Sequence, residues 1–163
     1  INDDDRYFYK QAAPPVTMGL ASRLEYKNWD LGMSFRASIG NYVYNDVEAS
    51  RSDMSQLWTG GFLEQRPLSA RQLNWQTSDW TQSDYFVRNA SFLRCDNITL
   101  GYSFNNLMKA GSWHGLSGRV YATASNVFTI TKYKGLDPEV FSGLDYELYP
   151  RPTSFILGLS LNF

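Results

Sequence analysis

The chain has 163 residues, 43% hydrophobic and 16% aromatic, with 15 basic and 16 acidic side chains and a net charge of −1. That balance excludes a surface built for nucleic acid or anionic lipid. No apolar run approaches the ~18 residues of a spanning helix, a limit that leaves membrane strands open, and the single Cys95 excludes an internal disulfide and, without a Cys/His cluster, a zinc site.

The chain opens Ile1-Asn2-Asp3-Asp4-Asp5-Arg6, without an initiator Met or a signal peptide, and reads as a piece of something longer. From residue 16 to 27 the pattern alternates. Met18, Leu20, Leu24 and Tyr26 share one face, and Thr17, Gly19, Arg23, Glu25 and Lys27 the other. A tight turn is predicted at Asn28-Trp29. Residues 30–41 then alternate again, with Leu31, Met33, Phe35, Ala37 and Ile39 opposite Asp30, Gly32, Ser34, Arg36, Ser38 and Gly40. Arg23, Glu25, Lys27 and Arg36 stand among glycines and serines on the polar faces, which a packed core could not solvate but a watery lumen could.

Residues 42–85 form a connection too long to be passive. It holds Trp58, Trp75 and Trp80 with Arg51, Gln65, Arg66 and Arg71. Aromatic platforms beside planar polar groups suit stacking on sugar rings or gripping a peptide, so the three tryptophans are the candidate substrate-binding residues; docking a partner would use the same residue types. A strand follows over 97–104, with Ile98, Leu100, Tyr102 and Phe104 against Asn97, Thr99, Gly101 and Ser103, and an extension reaching back to Phe86. Arg88, Arg94 and Asp96 on that extension read as an ion-pair lattice on a lumen-facing strand. The link 105–117 contains His114, which has no sequence partner for catalysis or metal binding.

Over 118–133 the alternation of Val120, Ala122 and Ala124 slips at Ser125-Asn126, where a bulge would restore Phe128 and Ile130. After a second long connection, 134–151, the final strand over 152–163 sets Phe155, Leu157, Leu159, Leu161 and Phe163 against Ser154, Gly158, Ser160 and Asn162, with Ile156 out of pattern. Outer-membrane barrels commonly close with such a strand, and Phe163 is expected to be the residue read during assembly. Connections alternate between short and long, as in barrels with short periplasmic turns and long outer loops, which makes 42–85 and 134–151 the extracellular loops. Tyr26, Trp29, Tyr102, Phe104 and Phe163 then form an inner aromatic belt, and Tyr42, Tyr44, Phe86, Tyr133 and Phe155 an outer one.

The expected fold is therefore all-β, about five antiparallel strands of a large transmembrane barrel, since closure needs at least about eight. No Ser/His/Asp set, paired carboxylates or phosphate loop emerges, so no enzyme is expected. The alternative is a soluble β-sandwich module that binds carbohydrate, which alternation and aromatics also permit.

Three stretches carry a family resemblance: INDDDRYFYKQAAPPVTMGLASRLEYKNWDLGMSF at the start, DYFVRNASFLRCDNITLGYSF in the middle, and SGRVYATASNVFTITKYKGLDPEV with YPRPTSFILGLSLNF at the end. In that order and spacing they resemble the C-terminal part of the SusC/RagA family of TonB-dependent outer-membrane transporters of Bacteroidetes. The resemblance implies a barrel of about 22 strands around an N-terminal plug, importing oligomeric glycans or peptides with a SusD-like surface lipoprotein as lid. Neither the plug nor the segment that engages TonB is in this chain. The opening residues resemble the tail of the family's D-x-N-x-D-G-x-I-x-x-x-D loop, with Asp5 in the twelfth position and Asp3 beside it, which implies Ca²⁺ whose first ligands would precede residue 1. Residues 132–139, KYKGLDPE, are similar to a family motif at a strand exit, where Gly and Pro set a turn.

Overall fold

The computed structural model describes residues 3–53, 66–72, 83–105, 116–146 and 149–162. Eight strands and two short helices are found among them, in the order β1 (Val16–Tyr26), β2 (Trp29–Ile39), β3 (Tyr42–Asn45), α1 (Asp46–Ser52), α2 (Leu68–Gln72), β4 (Val87–Asn89), β5 (Phe92–Phe104), β6 (Ser117–Thr131), β7 (Leu144–Asp145) and β8 (Ser154–Asn162). They divide into two compact units. One comprises residues 17–38, 92–130 and 151–163; the other comprises 1–16, 39–91 and 131–150.

The first unit is a single sheet in the order β1-β2-β5-β6-β8, so each long strand lies beside the next long strand in the chain. Pairing is antiparallel between β2 and β5 and between β6 and β8. The two-residue period now has a partner across each ladder. Leu31 faces Leu100, Met33 faces Ile98, Val120 faces Leu159 and Ala122 faces Leu157 on one side, while Gly32 faces Thr99 and Arg119 faces Ser160 on the other. The apolar side is uncovered. Leu20 is 62% exposed, Leu100 46%, Leu157 83% and Leu159 62%, whereas a sandwich would bury such a face against a second one.

Three details differ from the sequence expectation. The first turn is Lys27-Asn28, one residue earlier than expected, with Lys27 at φ 56 and Trp29 already in β2. Strand β5 starts at Phe92, and the extension expected from Phe86 is a separate short strand of the other unit, preceded by a 3-10 turn over Asp84–Phe86. A bulge lies in β5, where Ser34 pairs with Asn97 and Phe35 with Cys95, leaving Asp96 over. The irregularity expected at Ser125-Asn126 is present. Asn126 takes φ 50, a conformation Asn tolerates better than most residues, and its amide donates to the Pro152 carbonyl at 3.1 Å while its own carbonyl accepts from Thr153 at 2.9 Å.

The second unit is built mostly from stretches expected as long connections and an N-terminal arm. Its sheet has the order β4-β3-β7. Strands β3 and β4 are antiparallel, and β3 and β7 parallel, with Tyr44 opposite Leu144 and Asn45 opposite Asp145. Asn45 then caps α1, its Oδ1 accepting from the Glu48 amide at 2.9 Å, and Asp46 and Glu48 in the first turn suit the positive helix end. The Ser52 and Ser69 hydroxyls, 2.7 Å apart and buried, tie α1 to α2. Val43, Ala90, Tyr133 and Val140 form the buried apolar cluster. No helix among the described residues is long and apolar enough to cross a membrane, which says nothing about strands.

Candidate functional site

On the polar face of the five-stranded sheet, charges are bridged sideways across strands. Asp30 of β2 and Arg119 of β6 are separated by β5, yet Arg119 Nε donates to Asp30 Oδ1 at 2.9 Å and Nη2 donates to Oδ2. The bridge passes over Gly101. A Cβ there would overlap both side chains, so the absent side chain is what lets a β2 carboxylate and a β6 guanidinium meet. A bidentate pair of this kind is among the stronger charge-assisted contacts. Gly158 of β8 plays the same part for Tyr121, whose ring lies where its Cβ would stand, with the Arg119 guanidinium 5.0 Å from that ring.

The pattern continues along the face. The Thr99 and Thr123 hydroxyls are 2.8 Å apart, Arg36 donates to Asp96 at 3.2 Å, and Arg94 Nε donates to Thr129 at 3.1 Å. Arg94 is buried, 3% exposed, with its guanidinium 5.2 Å from the Phe92 ring. Of the lattice expected from Arg88, Arg94 and Asp96, Asp96 is ion-paired, with Arg36 of β2 as its partner, and Arg94 stands on the same face hydrogen-bonded to Thr129. Arg88, expected on the same face, instead sits on β4 in the other unit and pairs with Glu48 at 3.5 Å. The misplacement follows from treating 86–104 as one strand, when Ala90 and Ser91 interrupt it. On the apolar face, Trp29 and Tyr102 are cross-strand partners with ring centroids 4.8 Å apart.

In the second unit the buried chemistry centres on Asp145, 1% exposed, whose Oδ2 accepts from the Tyr133 hydroxyl at 2.5 Å. Burial, and then this hydrogen bond, push the Tyr133 phenol well above its usual range. Burial also raises Tyr44, with Asp46 adding to the effect, to about 12 from the ordinary 10.0. Both folded values lie above the unfolded one, so the stability they contribute is complete below pH 10.0; that of Tyr44 is lost as pH rises through about 12, and that of Tyr133 at higher pH still. Raising the pH from 9 to about 12 is expected to melt this unit, read as a loss of protection in 42–53 and 134–146 after correction for the intrinsic rise of exchange with pH. Protection that stays unchanged up to pH 12 would show that ionisation of these two rings is not coupled to the stability of the unit.

Trp58, Trp75, Trp80 and Phe163 lie outside the described residues. Asp3–Asp5 form one 3-10 turn in which Asp5 is exposed, and no group of three or more His, Cys, Asp or Glu side chains gathers to hold a metal among the described residues. Sequence reasoning missed Arg119, Tyr121 and Asp145. The glycines at 101 and 158 were the available signal, since a glycine inside a strand often marks the close approach of another group.

A one-layer five-stranded sheet with an uncovered apolar face and bridged charges on the other has the two-faced pattern found in the walls of membrane β-barrels. No family model matches it. It is 50% identical to the TonB-dependent receptor SusC of Bacteroides thetaiotaomicron over 100% of its own length and 16% of that protein's. It is 27% identical to TonB-dependent receptor P3 of Formosa agariphila, covering 18% of it. Among solved structures, the RagAB peptide importer matches in its open-open state with TM-score 0.68 and 27% identity, and in its closed-closed state with TM-score 0.72 and 27% identity. These matches cover 94% and 96% of this chain and 18% of the other. The chain is a segment of the SusC/RagA family of TonB-dependent receptors, proteins of the bacterial outer membrane. It spans 16 to 18% of the length of the curated relatives it matches.

Proposed function

We propose that this chain is the C-terminal wall of an importer of oligomeric nutrients, five strands of a barrel of about 22. The observation that carries this reading is the two-faced single layer. Leu20, Met33, Leu100 and Leu159 are assigned to lipid, and Arg23, Arg36 and Thr99 to the lumen, because only such a division leaves charge in water and apolar surface out of it. The connections 42–85 and 134–151 face outward beneath a SusD-like lipoprotein, and TonB acts through the plug-bearing part of the receptor. The similarity to RagAB, a peptide importer, supports an oligomeric substrate.

Trp58, Trp75 and Trp80 are the proposed substrate contacts. Replacing all three with alanine in the full receptor is expected to lower uptake of its substrate class roughly tenfold or more, as loss of buried aromatic anchors does. Cells would be offered a fluorescent oligosaccharide mixture and a fluorescent peptide mixture separately. The class whose uptake falls, at unchanged surface amount, identifies the substrate; equal uptake of both by variant and parent would remove the tryptophans from the path.

A further inference from the structure

At the turn that joins β1 to β2, the apolar face of the five-stranded sheet ends in a cluster of rings. Trp29 and Tyr102 are cross-strand partners in the row that continues through Leu31 and Leu100, with their ring planes inclined by 58°. Tyr26 closes the corresponding row of β1, two residues beyond Leu24. All three rings are open, Tyr26 being 70% exposed, Trp29 50% and Tyr102 38%. Asn28 fixes the turn against the end of β5: its side-chain amide donates to the Ser103 carbonyl at 2.8 Å, and its own carbonyl accepts from the Ser103 amide at 2.8 Å.

Lys27 is the unusual member of this turn. Strand alternation assigns it to the polar face with Arg23 and Glu25, but its backbone takes φ 56, a region that glycine enters freely and lysine seldom. Its side chain lies over Tyr26, with Nζ 5.2 Å from the ring centroid. Among the described residues no carboxylate pairs with this ammonium, since Glu25 is engaged by Arg23 at 2.7 Å and Asp30 by Arg119. Along the strands the order is therefore aliphatic side chain, aromatic ring, cation. A phospholipid presents its acyl chains, glycerol esters and phosphate in the same order.

We propose that Tyr26, Lys27, Trp29 and Tyr102 form a binding site for the phosphate of one phospholipid at the β1–β2 turn. The inference rests on the reading of the apolar face as the lipid side of the wall. Lys27 supplies the countercharge, the indole N–H and the two phenols supply donors to phosphate and ester oxygens, and the rows behind Leu24 and Leu100 carry the acyl chains.

Native mass spectrometry of the full-length receptor in detergent, titrated with dioleoyl phosphatidylglycerol, tests the site. Lys27→Gln removes the charge and is expected to weaken the most tightly held lipid about fivefold. Lys27→Arg should retain it, and dioleoylglycerol, which has the chains without the phosphate, should bind parent and variant alike. Equal retention of phosphatidylglycerol by the parent and Lys27→Gln would overturn the proposal. So would a loss seen only in a titration with lipid A, which would give the site to lipopolysaccharide. A nitroxide on Leu100→Cys, in membranes, reports on the lipid face independently. If oxygen relaxes that label and a water-soluble nickel chelate does not, while Lys27→Gln changes nothing, the lipid face stands and the phosphate site falls; relaxation by the chelate would remove the lipid face itself.

Discussion

Arginine in place of Leu100 is expected to remove most assembled receptor from the outer membrane, whereas arginine in place of Asn97, on the same strand, is expected to leave assembly within about twofold of the parent. The two sites differ by three residues and therefore by a face, because successive side chains of a strand alternate. Leu100 pairs with Leu31 in the apolar row that also holds Met33 and Ile98, and Asn97 pairs with Ser34 on the face that carries Asp30 and Arg36. A guanidinium on the lipid side near mid-depth costs ~2 to 4 kcal/mol, which corresponds to roughly 30- to 1,000-fold in a two-state insertion equilibrium. On the lumen side it adds a charge to a face already built to hydrate and pair charges. Surface labelling of intact cells, normalised to total receptor, is the measurement. Equal assembly of both variants, or the reverse order, would mean that the faces are wrongly assigned.

Gly101→Val is the second large effect expected, about a tenfold fall in correctly assembled receptor. The argument is steric first. A Cβ at Gly101 would stand 2.5 and 2.7 Å from two nitrogens of Arg119 and closer still to Asp30, so the bridge over β5 must open before valine fits. The Asp30 side chain is only 13% exposed and cannot recover by turning fully to water. The defect is therefore expected to shrink when Asp30→Ala and Arg119→Ala are added, since the obstructing pair is then gone. No relief in the triple variant would locate the damage in the backbone of β5 and not in the bridge. Such a result would leave the wall assignment intact while removing the bridge from the account of its stability.

Much of the wall could be read before any coordinate. Leu20, Met33, Leu100 and Leu159 were separable from Arg23, Arg36 and Thr99 by counting in twos, because a pleated strand has no other way to place its side chains. The irregularity at Asn126 showed for the same reason, as a break in that count. The bulge at Asp96 lies outside the alternation read over 97–104; across it the apolar row steps from Leu100 and Ile98 to Cys95 and Leu93, opposite Phe35 and Ala37.

What no local pattern could supply is who meets whom at long range. Asp30 and Arg119 are 89 residues apart, and their meeting depends on β5 lying between them with glycine at the crossing point. The pairing of β3 with β7, and the packing of Val43 and Ala90 with Tyr133 and Val140, turn two apparent connections into a folded unit with its own core. Periodicity reports the environment on each side of a strand, which is a property of that strand alone, and this the amino-acid order determines directly. Register, bridging charges and a shared core are properties of pairs, chosen by the total free energy of packing all segments at once, and only the tertiary structure decided them.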